Sequence, residues 1–115
     1  MGPVRLDLPA RPEYVGVVRL ALSSLARYAG LDEERVDELK IAVSEVCTDI
    51  VAADAGDRLT ISWSADDGTV RIEVAGPSPV EGDRRDFSRD LLAELLDEYE
   101  VTETEEGTVT RMRIG

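Results

Sequence analysis

Glu45 and Asp49 lie four residues apart in the stretch Lys40-Ile-Ala-Val-Ser-Glu-Val-Cys-Thr-Asp-Ile-Val51, whose other positions are mostly apolar. On a helix that spacing projects both carboxylates from one face. Two acids among apolar neighbours cost stability unless they meet a metal, a donor group or water, so the pair marks a ligand cleft or a solvated edge. Chemistry in this chain has to rest on carboxylates. There is no histidine, which removes Ser-His-Asp and Cys-His nucleophile arrangements and imidazole zinc sites together. The single cysteine, Cys47, allows neither an internal disulfide nor a thiolate zinc cluster, leaving magnesium or calcium on oxygen ligands as the metals to consider. Its spacing with Val43 and Ile50 reads as a buried small hydrophobe in a reducing compartment.

The 115 residues suit one domain, large enough that folding removes roughly two-thirds of the unfolded chain's surface from water. No apolar run approaches the roughly 18 residues needed to cross a bilayer, and no charged-then-apolar leader opens the chain, so the expectation is a soluble, cytoplasmic protein. With 25 acidic against 13 basic residues the net charge is −12, which disfavours a nucleic-acid backbone and favours basic partners or cations. Between Glu94 and Glu106 seven acids meet no Lys or Arg. That stretch reads as a solvated helix end and hairpin, with a docking surface for a basic protein as the sharper alternative.

Periodicity and punctuation give the elements that must position the acids. Val4, Leu6 and Leu8 alternate with polar residues in a short strand closed by Pro9. Pro12 opens a helix to about Ala29 with the stripe Val15, Val18, Leu22, Leu25 and Ala29, while Arg19, Ser23 and Arg27 lie on another side. Gly30 stops it and Asp32 can cap the next. The second helix runs from about Glu33 to Ala53, with Val36, Leu39, Val43, Val46, Cys47, Ile50 and Val51 toward a sheet. Glu45 and Asp49 fall away from that face among Ile41, Ala42, Ala52 and Ala53, and the solvated strip is near Asp37, Ser44 and Thr48. Small apolar neighbours leave room for something to lie against the helix there, as in a pocket wall.

Leu59, Ile61, Trp63 and Ala65 form a strand, Asp66-Asp67-Gly68-Thr69 a turn, and Val70, Ile72 and Val74 its antiparallel return. Composition makes 75–88 a loop, with Ser88 or Asp86 capping a third helix of about ten residues that carries Leu91, Leu92, Leu95 and Leu96. Strands near Tyr99 to Thr104 and Thr108 to Ile114 turn at Glu106-Gly107. The order predicts an α+β two-layer sandwich, a mostly antiparallel mixed sheet of about five strands covered on one face by three helices. A bare face would expose Trp63 or the first strand to a second copy, so a homodimer is expected.

These residues resemble the anti-sigma factor serine/threonine kinases of the GHKL (Bergerat-fold) ATPase superfamily. Leu8-Pro9-Ala10 with Glu13, Val18-Arg19, Gly30-Leu31 and Lys40 to Asp49 resemble that family's opening half. Leu91-Leu92 to Asp97-Glu98 and Glu106-Gly-Thr-Val-Thr-Arg-Met112 resemble its closing half. The resemblance implies ATP and Mg2+ as cofactors, and a sigma factor or an anti-anti-sigma (STAS-type) protein as partner. Glu45 matches the glutamate that assists proton removal from a serine hydroxyl. Asp49 stands where the family's magnesium-holding asparagine would be, adding a negative charge beside a polyphosphate. Further cofactor-binding positions implied are Ala53, Gly76 and Thr108, with Arg84, Arg85 and Arg89 as candidate phosphate ligands; Arg19 takes the place of a partner-facing arginine.

Two motifs depart from the family. Its D-x-G-x-G-like stretch, whose aspartate binds the adenine amine, corresponds to Val74-Ala-Gly-Pro-Ser-Pro79, which has no acid and two prolines. Loss of such a charged hydrogen bond costs about 1.5 to 3 kcal/mol, roughly ten- to a hundredfold in affinity. The glycine-rich lid is replaced by Arg84-Arg-Asp-Phe-Ser-Arg-Asp90, placing side chains where backbone would approach phosphate and Asp90 near a helix N-terminus. The sequence therefore predicts a regulator that binds a sigma factor or its antagonist with weak or no ATP binding; the alternative is an active ATP- and Mg2+-dependent serine/threonine kinase.

Overall fold

The computed structural model describes residues 3–52, 58–77 and 83–115, with 83–86 described by backbone only. The element order is β1 (Val4–Pro9), a short 3-10 turn (Pro12–Tyr14), α1 (Val15–Tyr28), α2 (Glu33–Ala52), β2 (Arg58–Asp66), β3 (Thr69–Gly76), α3 (Asp83–Leu95), β4 (Glu98–Thr104) and β5 (Gly107–Ile114). The strands form one sheet in the order β1-β2-β3-β5-β4, antiparallel at each pairing. This is the α+β sandwich that the pattern of elements predicts.

Local chemistry fixes the joints. Gly30, at φ +94°, ends α1: its N–H donates to the Arg27 carbonyl and the Leu31 N–H to the Ala26 carbonyl. These are the two bonds of a Schellman motif, which needs a left-handed residue that glycine supplies without strain. One residue later the Arg35 N–H donates to Asp32 Oδ1 at 2.8 Å, the N-cap that starts α2. The β2–β3 hairpin turns on Asp67 and Gly68, both at positive φ, the twist that suits a two-residue loop between antiparallel strands.

The core lies between the helices and one face of the sheet. Val18, Leu22 and Leu25 of α1 and Val36, Leu39, Val43, Cys47 and Ile50 of α2 meet Leu59, Ile61, Val70, Val74 and Ile114, all buried. The opposite sheet face carries charge. There Arg111 pairs with Glu73 at 3.1 Å and Arg113 with Glu98 at 2.9 Å, beside a shallow hollow of about 840 Å³.

Several expected placements differ. Ser23 is buried rather than on the polar side of α1, because its hydroxyl donates to the Arg19 carbonyl at 2.6 Å and so enters the core satisfied. Ser44 is only half exposed, and its hydroxyl is buried without a hydrogen-bond partner, so of the three residues expected on the solvated strip of α2 only Asp37 and Thr48 are exposed. Trp63 is on the core face, packed against the buried cluster and opposite Val4, which leaves β1 itself as the open edge. The predicted 75–88 loop is shorter, since β3 holds its ladder through Gly76 and α3 begins at Asp83. With thirteen residues in that helix, Asp86 and Ser88 lie inside it and cannot be its N-cap, and Asp90 sits two turns from its start.

Candidate functional site around Glu45 and Asp49

The apolar stripe of α2 turns its core side toward the sheet, and the next face round the helix carries Glu45 and Asp49. The sequence places these acids against an open space; in the structure α3 lies there. Asp49 is buried, with 9% of its surface exposed, and Glu45 is half-buried. Between them reaches Ser88 of α3, itself 5% exposed, donating its hydroxyl to Asp49 Oδ2 at 2.5 Å and to Glu45 Oε1 at 2.7 Å. Both hydrogen bonds are short, and they join residues 39 and 43 positions apart in the chain. One hydroxyl carries one hydrogen, so the two carboxyl groups share it.

The sequence pattern makes Ser88 or Asp86 a helix cap, and the role between the acids is not visible in it. Only the burial of Ser88 is signalled, as spacing: Ser88, Leu92 and Leu96 fall four apart, and all three are buried. The same rule that selects Leu92 and Leu96 as core selects the serine.

The candidate cofactor positions divide. Gly76 and Thr108 face each other across the β3–β5 ladder and, with Arg58, Pro77, Glu106 and Gly107, line a depression of about 470 Å³ that does not include the two acids. Helix α2 closes on this end of the sheet, because Ile50, next to Asp49, packs so tightly that a Cβ on Gly76 would lie 2.6 Å from its Cγ2. Gly107 is pressed closer still, at φ +142°, where a Cβ would meet the Gly76 carbonyl oxygen at 2.1 Å. Thr108 is buried. Ala53 lies outside the described residues, as do the side chains of Arg84 and Arg85; Arg89 is exposed on α3 and Arg19 on α1.

Cys47, one residue from Val46 on the core face, is buried and its thiol is pushed up to about 12 by burial, which makes it an inert hydrophobe at neutral pH. Part of the acidic tail is consumed by the fold. Asp97 Oδ2 accepts from Arg35 at 2.8 Å and from the Gly115 N–H at 2.8 Å. Partial burial raises its carboxyl, but the Gly115 N–H and the Arg35 guanidinium outweigh that and hold it below the usual range.

Magnesium takes near-octahedral oxygen ligands, commonly one or two carboxylates together with phosphate and water. Glu45 and Asp49 supply carboxylates, yet an oxygen of each receives the Ser88 hydroxyl, and among the described residues no three His, Cys, Asp or Glu side chains converge. Val74-Ala75-Gly76-Pro77 offers no side-chain acceptor to an adenine amine. As arranged here, the described residues do not fit a metal-bound nucleotide.

Comparison with known proteins gives a consistent picture. A family model described as histidine kinase-like ATPase domain matches residues 8–114. The serine-protein kinase RsbW of Listeria innocua is 35% identical over 118 residues, covering 97% of this chain and 68% of that protein. That of Bacillus subtilis is 36% identical over 90 residues, 75% of this chain and 54% of the relative. The crystal structure of the RsbU and RsbW domains of a Mycobacterium tuberculosis protein superposes with a TM-score of 0.82 at 18% identity, over 99% of this chain and 32% of that one, a likeness of fold. The chain thus spans about half the length of the Bacillus subtilis relative and about two-thirds of the Listeria innocua one. No described helix is long and apolar enough to cross a membrane. With the motif-bearing helix, the sheet order and these relatives in agreement, the chain belongs to the histidine kinase-like ATPase domain family, among the anti-sigma factor serine kinases of GHKL fold.

Proposed function

We propose that the chain is a regulatory binding module of the cytoplasm that holds a sigma factor, an anti-anti-sigma protein of STAS type, or each in turn, and binds ATP weakly or not at all. The observation that supports this most is the Ser88 hydroxyl lodged between Glu45 and Asp49, which sets a protein group where a cation and phosphate would have to enter. Aspartate in place of asparagine at 49 and the acid-free stretch 74–77 act in the same direction. The net charge of −12 favours a basic partner segment, and Arg19, exposed on α1, is the residue we assign to the contact.

Calorimetric titration with ATP and magnesium tests the nucleotide half of the reading. Dissociation weaker than about 1 mM is expected, and a micromolar constant would overturn it. Arg19→Glu tests the other half: it should abolish capture of cognate partners at unchanged melting temperature, and undiminished capture would dismiss the assignment.

One observation favours the second reading, an active serine/threonine kinase. Glu45 already accepts a seryl hydroxyl at 2.7 Å, the contact a general base needs. In that reading α3 withdraws and Glu45 takes the proton of a partner's serine. Transfer of labelled phosphate to such a partner, lost in Glu45→Ala, would establish it.

A further inference from the structure

The first half of α3 is held in an unusual way. Among the described side chains the buried line of α3, continued by the residue after it, runs Ser88, Leu92, Leu96, so its first described member is the polar one, while the adjacent large apolar residue, Phe87, is left 60% exposed. Phe87 adds little buried surface at this end of the helix, and a hydroxyl between two acids makes the contact instead. The serine is 5% exposed and Asp49 9%, so the Ser88–Asp49 contact is shielded from competing water, while Glu45 on the other side is half-buried. The acids have the chemistry to prefer other occupants. A divalent cation, or a hydroxyl giving up its proton, interacts with a carboxylate more strongly than a neutral hydroxyl does.

We propose that Ser88 is an intrasteric latch: the chain's own seryl hydroxyl occupies the Glu45–Asp49 pair, holds the start of α3 shut over it, and must let go before a cation, a phosphate or a partner's serine can reach either acid. This rests on the reading of that pair as the functional site, but the latch itself is a property of the free protein. Its strength follows from what is exchanged. Loss of a hydrogen bond to a charged group corresponds to roughly a ten- to hundredfold shift in an opening equilibrium. The hinge falls at the leucine pair behind it, Leu92 and Leu96, both of which are buried.

The test uses the whole chain and no partner. Carboxyl groups are labelled with a water-soluble carbodiimide and glycinamide, and the rate at each acid is read by peptide mass spectrometry. Glu45 and Asp49 should react slowly in the native protein and roughly tenfold or more faster in Ser88→Ala, with exposed Glu34 as an unchanged internal reference. Amide exchange is followed alongside. Residues 87–91 should lose protection in Ser88→Ala while β3 and β5 keep theirs. Ser88→Asp, which sets a third carboxylate against the two, should open the site further. Equal labelling rates in the native protein and both variants would overturn the latch. So would a uniform rise in exchange across the sheet with a fall in melting temperature, because the serine would then be part of the general packing. Partner capture is measured separately: its failure in the native protein would sink the regulatory reading and leave these rates as they are.

Discussion

Cys47 and Gly76 show how single residues on neighbouring elements are constrained by opposite means. The thiol of Cys47 is pushed up to about 12 by burial alone, so it stays protonated and unreactive throughout the neutral range. A disulfide-exchange reagent such as dithionitrobenzoate should leave it unlabelled for hours in the native protein and label it at once in denaturant; fast native reaction would mean that α2 opens. Gly76 has an ordinary backbone and is fixed by space, since its missing Cβ is where Ile50 packs. Gly76→Ala should cost about 1 to 3 kcal/mol in urea unfolding. Gly107→Ala should cost more, because backbone atoms cannot yield as a side chain can and φ is +142°. At this scale the sequence shows Glu45, Asp49 and the burial of Cys47, all set by period within one helix. It does not show what meets the acids, because Ser88 comes from 39 residues away and the short range rewards reading it as a cap.

The helices divide the work of building the site by how they begin. For α2 the start is local: Asp32 caps it immediately after the Schellman turn, so the acids on its later turns are set in register by chemistry that the sequence displays openly. Asp32→Ala should lower stability by about 1 kcal/mol by chemical denaturation, and Asp32→Asn or Asp32→Ser should recover most of it. A neutral Asp32→Ala would mean that tertiary packing holds that end. For α3 the start is set from outside. Gly-Pro punctuation before it signals a loop, yet the stretch Asp83-Arg-Arg-Asp86 contains neither helix breaker, and the helix extends back to Asp83, with its sixth residue, Ser88, meeting α2. Sequence patterns place α2 and all five strands to within two residues, whereas α1 starts three residues later than Pro12 suggests because Pro12–Tyr14 form a 3-10 turn. They were least informative where a polar residue substitutes for an apolar one on such a face, at Ser23 and Ser88.

At the scale of the molecule, Asp97 ties the ends of several elements together, joining Arg35 of α2, the C-terminal Gly115 amide and the entry to β4. Its carboxyl is held below 3.8 in the fold, so the unfolded chain binds the proton more readily. The contribution is present above the unfolded value and is lost as pH falls through and below about 3.8. Acid titration of the folding free energy should therefore show a shallower fall below pH 4 in Asp97→Asn than in the native chain, from a lower starting stability; parallel curves would remove Asp97 from that role. A homodimer remains our proposal, to be read from the mass by light scattering over a range of concentrations, with a constant monomer mass excluding it. The two margins of the sheet are unequal in this respect. Along β4 the exposed Glu100 and Glu103 line the outermost strand, whereas β1 carries Arg5 and Asp7 as a mixed pair. An incoming strand of the same chain would meet its own charge mirrored at the β4 side, so growth by endless stacking of copies is blocked there, and any pairing that does form through β1 uses up its single receptive border and stops at two.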